Sequence, residues 1–348
     1  MANTHLRQKH KSKLLAAAII FAVALGGIIY LALSHAASPY AAIEAESGML
    51  AGGATLVTSD STASGDSYVE FDASSTDTKI QYPAQVLSLA DWKITMPYDT
   101  NGNQFEPGGT TPGIAVEVMQ PELATFTDKY FYVNSTADGA VFVAPVNGAL
   151  TGDTGYPRTE LRQMASSDGS DEASWNISDN KLNTETVEEA VNHLPEVKPQ
   201  IVVAQIHDSN HDIIEILADA LNSHSSDYKG DEPADCMGTG GDINNTGCQF
   251  DICYRYDGDE NQSDCLINDY TIDTKYTLSL SVQDSVITLS ATYNGKTVTI
   301  SITDSQSADD LGDYFKAGCY TQSNYMTEGN YVDYGEDTIY SINAVYNP

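Results

Sequence analysis

The chain has 348 residues, enough for one large domain or two ordinary ones. Asp and Glu outnumber Lys and Arg 49 to 16, and the resulting formal charge of −33 argues against nucleic acid or an anionic membrane surface as a partner. Tyr, Thr, Ser, Asp, Asn and Gly are plentiful while Leu, Lys and Arg are scarce, a composition that suits an exported all-β protein and not a helical one.

From Leu14 to Leu33 the chain is an unbroken run of apolar residues and glycine, preceded by Arg7, Lys9, Lys11 and Lys13. Such a run is long enough to cross a bilayer as a helix, with its basic flank on the cytoplasmic side. Ser34, His35 and Ala36 then offer small residues of the kind a signal peptidase reads. Residues 1–36 are therefore expected to be a signal peptide or an uncleaved anchor. Either way the rest is expected to be secreted or held at the cell surface, touching the membrane only through this segment.

Residues 37–80 are rich in Ser, Thr, Gly and Asp. Ile43–Gly48 and Gly65–Phe71 resemble the opening strands of a carbohydrate-binding sandwich module, but about 100 residues are needed to close two such sheets. This stretch is read as a linker or a truncated module, with no sugar binding assigned.

From residue 81 to the C-terminus, short β-patterned runs alternate with Gly, Asn, Asp and Pro clusters. Examples are Tyr130–Val133, Val141–Pro145, Ile201–His207, Ile213–Leu217, Tyr276–Val282, Val286–Tyr293 and Thr297–Ile302. Tyr293-Asn294-Gly295-Lys296 is a hairpin turn between the last two. The expected fold is all-β, a jelly-roll sandwich of two antiparallel sheets with a concave groove. Thr184–His193 and Asp309–Tyr314 are the two stretches read as short helices.

Asp227 to Asp269 reads as an acidic, glycine-rich insertion holding Cys236, Cys248, Cys253 and Cys265. In an exported protein these should form two disulfides that staple a long loop, with three pairings open. The spacings are not those of a zinc site, and CxxC is absent. Cys319 is left as a buried free thiol. Asp257-Gly258-Asp259-Glu260-Asn261 begins like a calcium loop, but Gln262 and Asn268 stand where the glycine and the bidentate acid belong, so a solvated acidic loop is preferred. No metal or cofactor is expected.

Three further segments carry polar side chains at every second position. Arg158, Glu160 and Arg162 alternate with Thr159 and Leu161; Gln205 and His207 flank Ile206; Lys316, Gly318, Tyr320 and Gln322 alternate with Phe315, Ala317, Cys319 and Thr321. Side by side, three such strands would line one sheet face with groups suited to an anionic substrate and a proton transfer. Lys93 is a further basic candidate for that face.

The sequences RTELR, QIH and YFKAGxYxQ, in this order, resemble the three signature strands of the alginate lyases of polysaccharide lyase family seven, and Leu89–Pro97 is similar to that family's opening strand. The resemblance implies cleavage of a uronate polymer, alginate or a close relative, by β-elimination, without a cofactor, by a monomeric enzyme. It implies a catalytic set of Arg158, Gln205, His207 and Tyr320, with Lys93, Glu160, Arg162, Lys316 and Gln322 contacting substrate. Glu160 is expected to hold the two arginines in place. Ile206, at the centre of QIH, points to guluronate-containing substrate. Tyr320 would serve as both base and acid only if neighbouring cations lowered its pKa from about 10.

Two other classes compete. A sandwich-fold glycoside hydrolase needs two carboxyl groups at a short fixed separation, and Glu215 and Asp219 are the nearest pair. A non-catalytic binding module favours aromatic platforms, and the chain has only Trp92 and Trp175.

Overall fold

The computed structural model describes residues 54–58, 67–71, 80–152, 154–209, 211–220, 244, 248–257, 259–304 and 311–347. The apolar run at Leu14–Leu33, Cys236 and most of residues 37–80 lie outside these residues, as do the side chains of the calcium-like stretch after Asp257. Among the described residues, no helix is long and apolar enough to cross a membrane. The chain divides into two units, residues 1–78 and 79–348. In the first, β1 (Ala54–Thr58) and β2 (Ser67–Phe71) pair as an antiparallel ribbon.

The second unit is a jelly-roll sandwich of two antiparallel sheets. The nine-stranded sheet runs in the order β13 (Asp259–Thr271), β12 (Gln249–Tyr256), β11 (Asp212–Asp219), β10 (Gln200–His207), β17 (Leu311–Thr321), β7 (Arg158–Gln163), β3 (Trp92–Asp99) and β4 (Ala115–Val118). Its ninth strand, β8 (Trp175–Asn176), pairs with β17. The seven-stranded sheet runs β16 (Lys296–Thr303), β15 (Val286–Tyr293), β14 (Tyr276–Gln283), β9 (Asn183–His193), β18 (Tyr334–Val345), β6 (Ala140–Pro145) and β5 (Phe131–Val133).

The period-two pattern explains why these runs are strands. In β14, Tyr276, Leu278, Leu280 and Val282 point into the core, while Thr277, Ser279 and Ser281 lie on the other face. In β17, Phe315, Ala317, Cys319 and Thr321 are fully buried and face the second sheet. Trp175 packs on Phe315 at 4.9 Å and donates its indole N–H to Gln163 Oε1. Truncating a fully buried aromatic such as Phe315 to Ala costs about 3–5 kcal/mol, so the core side of β17 holds its outer side in place.

Two expectations are corrected here. Thr184–His193 is not helical: it lies in β9, where burial alternates along Asn183, Glu185, Val187 and Glu189. Two of these inward positions are carboxyls, so no apolar stripe marks the strand, and glutamate and alanine favour a helix intrinsically. Leu311–Tyr314 likewise opens β17, held extended by its pairing with β8, while 309 and 310 lie outside the described residues. The cysteine-bearing insertion is also less of a loop than its composition implies. Its second half forms β12 and β13, whose Phe250, Ile252, Leu266, Ile267 and Tyr270 join the core. Cys253 and Cys265 face each other across these strands in a disulfide, and Cys248 is disulfide-bonded as well. Cys319 is the buried free thiol.

Candidate active site

On the outer face of the nine-stranded sheet, polar side chains fall into cross-strand rows. One row runs Lys93, Arg162, Lys316, Gln205 and Glu215, across β3, β7, β17, β10 and β11. The next holds Arg158, Tyr320, Val202 and Leu217. Between the rows, a register shift at Val202 and Ala204 lets β10 advance from Val202 to Gln205 while β17 passes from Tyr320 back to Lys316. Val203 and Ala204 are both buried in the core cluster, and Gln205 and His207 thereby come beside Lys316 and Tyr314. Gly318 sits at this irregularity with φ 130°, and a Cβ there would lie 2.8 Å from the Thr159 carbonyl oxygen. Glycine is what allows β17 to approach β7 so closely.

Glu160 is the hub of the face. Its Oε2 accepts from Arg158 Nη1 at 2.8 Å and from Lys316 Nζ at 2.7 Å, and its Oε1 accepts from Gln205 Nε2. All four residues are buried. Burial pushes the Glu160 carboxyl up, but Lys316 and Arg158 outweigh it and hold the group below its ordinary range. Burial, reinforced by Arg158, brings Lys316 down to about 8 against the opposing pull of Glu160. The expectation that Glu160 holds both arginines is thus corrected in one half: Arg162 pairs with Glu172 at 3.1 Å instead. Arg162 lies opposite Lys93 of β3, while Arg158 lies opposite Tyr320 of β17.

The Arg158 guanidinium stacks on the Tyr320 ring, 3.7 Å from its centroid. This cation does not lower the phenol's pKa below its ordinary value, as a dual base-and-acid role would require. Burial dominates, and Tyr320 is pushed up to about 12. Tyr320 therefore keeps its proton at neutral pH and is suited to giving it.

His207, on the neighbouring strand, is held on three sides. Its Nε2 lies 3.0 Å from Asp212 Oδ1, and its Nδ1 faces the Asp208 carbonyl oxygen and lies 3.2 Å from the Tyr314 hydroxyl. The Tyr314 ring stacks on the imidazole at 5.4 Å between centroids, and Arg162 lies over the Tyr314 ring at 3.8 Å. Burial makes the Tyr314 phenol hard to ionise, and Arg162 only partly offsets this. Asp212 is drawn below its usual range: burial raises it, and the hydrogen bond and charge of His207 outweigh that.

These groups open onto a cavity of about 700 Å³. Of the nine sequence-derived site residues, Lys93, Arg158, Arg162, His207 and Lys316 line it. Glu160, Gln205, Tyr320 and Gln322 share the same sheet face without lining the cavity. Gln322 lies at the end of β17, where its N–H donates to the Gln200 carbonyl. At the far rim, Lys93 Nζ pairs with Glu117 and Glu172, both at 2.7 Å.

Sequence reasoning missed Asp212, Tyr314, Glu117 and Glu172. Asp212 was within reach, because QIHDSNHD reads as a tight connection that sets His207 and Asp212 opposite each other. Tyr314 was too, since it lies two residues before Lys316 on the same face. Glu172 comes from the connection between β7 and β8, where no pattern marks it. Glu215 and Asp219, the hydrolase pair, divide into different settings. Glu215 is ion-paired to Arg255 at 3.1 Å and pushed by burial up to about 7, whereas Asp219 is buried four residues further along β11.

A cleft on one face of a jelly roll, lined by four cations and a histidine, with a protonated phenol on the adjacent strand of the same face, is the arrangement of an enzyme for an acidic sugar polymer. Residues 87–345 match the family model described as alginate lyase. Among solved structures, alginate lyase AlgAT5 from polysaccharide lyase family 7 is 30% identical with a TM-score of 0.58, the alignment covering 77% of this chain and 99% of that one. The alginate lyase from Corynebacterium sp. is 32% identical over the same shares, with a TM-score of 0.56. An alginate lyase of Klebsiella pneumoniae is 32% identical over 84 residues, a match that spans 24% of each chain. The chain belongs to the alginate lyase family, polysaccharide lyases that act on alginate.

Proposed function

We propose that this protein is an exported endolytic lyase that cleaves internal 4-O-linked bonds of guluronate-containing alginate by β-elimination. The observation that carries the reading is the convergence of Arg158, Gln205, His207 and Tyr320 from three adjacent strands onto one face. Arg158, with Gln205 beside it, neutralises the uronate carboxylate and stabilises the negative charge that develops as the C5 proton leaves. His207 takes that proton. The electron pair forms the C4–C5 double bond, the bond from C4 to the linking oxygen breaks, and Tyr320 gives its proton to the departing oxygen.

In guluronate the C5 proton and the leaving oxygen lie on opposite faces of the ring, so removal and donation need two separate groups. A phenol pushed up to about 12 supports this division, because it favours Tyr320 as acid and leaves His207 as base. The apolar run at Leu14–Leu33 supports export, and a cleft lined along one sheet face supports cutting within the polymer.

Polyguluronate and polymannuronate blocks test the reading. Ultraviolet absorbance of unsaturated uronate should rise faster on polyguluronate, with an early fall in viscosity and a broad range of oligosaccharides. Preference for polymannuronate would overturn the two-residue division. Release of short products alone from the outset would overturn endolytic cutting.

A further inference from the structure

Four cations line the cleft, yet three carboxylates neutralise most of their charge, and the three are not alike. Glu160 is 2% exposed and bonded to three partners, so it is part of the fold. The side chains of Glu117 and Glu172 are 41% and 54% exposed and reach in from the rim. Glu172 spans Lys93 Nζ at 2.7 Å and Arg162 Nη2 at 3.1 Å, one carboxylate oxygen to each. That is how a sugar carboxylate would be gripped between an ammonium and a guanidinium.

We propose that Lys93 and Arg162 form a second carboxylate subsite for the polymer, and that Glu172, with Glu117 beside it, occupies the subsite as an internal surrogate until a uronate displaces it. The proposal rests on the reading of the chain as a polyuronate lyase. Strands lie about 4.8 Å apart, so Lys93, three strands from Gln205, is roughly 14 Å away along the sheet. That exceeds one pyranose ring, and the carboxylate it takes belongs to a different sugar from the one being cleaved. Lys93 is only 5% exposed and fixed between neighbours, while its two acidic partners are held from the solvent side. Displacement therefore moves the acids and leaves the cations in place.

The test compares Glu172→Gln with Asp171→Asn, which removes the same charge one residue away. Asp171 is exposed and makes no ion pair among the described residues. KM is measured at low salt on long oligouronates that cover both positions and on trisaccharides that reach only Arg158, Gln205, His207 and Tyr320. Glu172→Gln should lower KM for the long substrate roughly three- to tenfold, as one carboxylate competitor is lost. It should leave the trisaccharide unchanged, and the gain should shrink as salt is added. Asp171→Asn should match wild type on both.

Equal effects of the two variants, or a raised KM in Glu172→Gln, would overturn the subsite while leaving the lyase reading intact. If Glu172→Gln does not fold, as judged by its melting midpoint, Glu117→Gln carries the same expectation with a smaller gain, and a raised KM there overturns the proposal. A wild-type protein that forms no unsaturated product from alginate would remove the reading and the subsite together.

Discussion

Tyr320 and His207 sit on adjacent strands, but their surroundings set them different tasks. Burial keeps the proton on Tyr320, and its ring is stacked against Arg158, so the phenol is at once oriented and protonated. Tyr320→Phe keeps the ring and the stack but has no proton to give. It should lower kcat by about two to four orders of magnitude with little change in KM, read from initial rates of ultraviolet absorbance. A loss confined to KM would assign Tyr320 to binding alone. Asp212 acts through His207, by fixing the ring and its tautomer from the Nε2 side. Asp212→Asn should cost roughly tenfold or more in kcat with a changed pH profile. An unaltered profile would make Asp212 a bystander.

The roles of single residues were legible where side-chain chemistry and strand parity coincide. Arg158, Lys316 and Tyr320 are legible because each alternates with a small or apolar residue that must face inward. The partners of those groups were less so. Glu160 stands midway between Arg158 and Arg162 in sequence, but in space it keeps Arg158 and turns to Lys316 on the adjacent strand in place of Arg162. No spacing rule reports such a cross-strand choice.

At the scale of elements, β9 and β18 carry the most unusual feature of the interior. Glu185, Glu189 and Asp337 are fully buried between the sheets, and their carboxyl oxygens are poorly satisfied, with the Tyr276 hydroxyl near Glu189 and the Thr338 N–H near Asp337. Burial pushes Glu189 up to about 8 and lifts Glu185 and Asp337 well above their ordinary range, with neighbouring acids adding to the last two. The folded protein thus holds protons that an unfolded chain releases above about pH 4.5. For Glu189 the contribution to stability is complete below that pH and is lost as pH rises through about 8, and Glu185 and Asp337 act in the same direction. The melting midpoint should therefore fall steadily from pH 5 to pH 8, and Glu189→Gln should flatten the decline. A midpoint that holds level or rises across this range would contradict the assignment.

These same acids explain why β9 read as a helix. Its inward face interrupts Val187 and Val191 with Glu185 and Glu189, so the alternation by which a strand announces itself is lost. Where inward residues are apolar, as in β14, β15 and β17 from Phe315 onward, the strands were plain. The shift in β10 was hidden for the opposite reason: Ile201 to Ala204 is apolar throughout, so nothing in it marks which residue steps out of register.

Across the whole molecule, the charge of −33 and the chemistry of the cleft pull in opposite directions. Four of the basic residues are gathered on one sheet face, and at physiological salt a charge is felt over about 8 Å. Local cations therefore govern recognition, and moderate salt should raise activity on polymeric alginate by screening the acidic remainder. A flat or steeply falling response from low salt would count against that balance. The order and spacing of the three motif strands made the fold and face readable through the family resemblance they carry, and Arg158 and Tyr320, over 150 positions apart, meet across β7 and β17. The rim acids that complete the cleft had to be seen in place.

One measurement bears on elimination itself. Alginate is incubated with the protein, and new reducing ends are counted alongside the ultraviolet absorbance of unsaturated uronate. Elimination predicts one unsaturated residue for every bond broken, from the first turnovers onward. Reducing ends that accumulate without absorbance would show that water, and not the C5–H bond, supplies the atoms at the break, and the roles given to His207 and Tyr320 would fall.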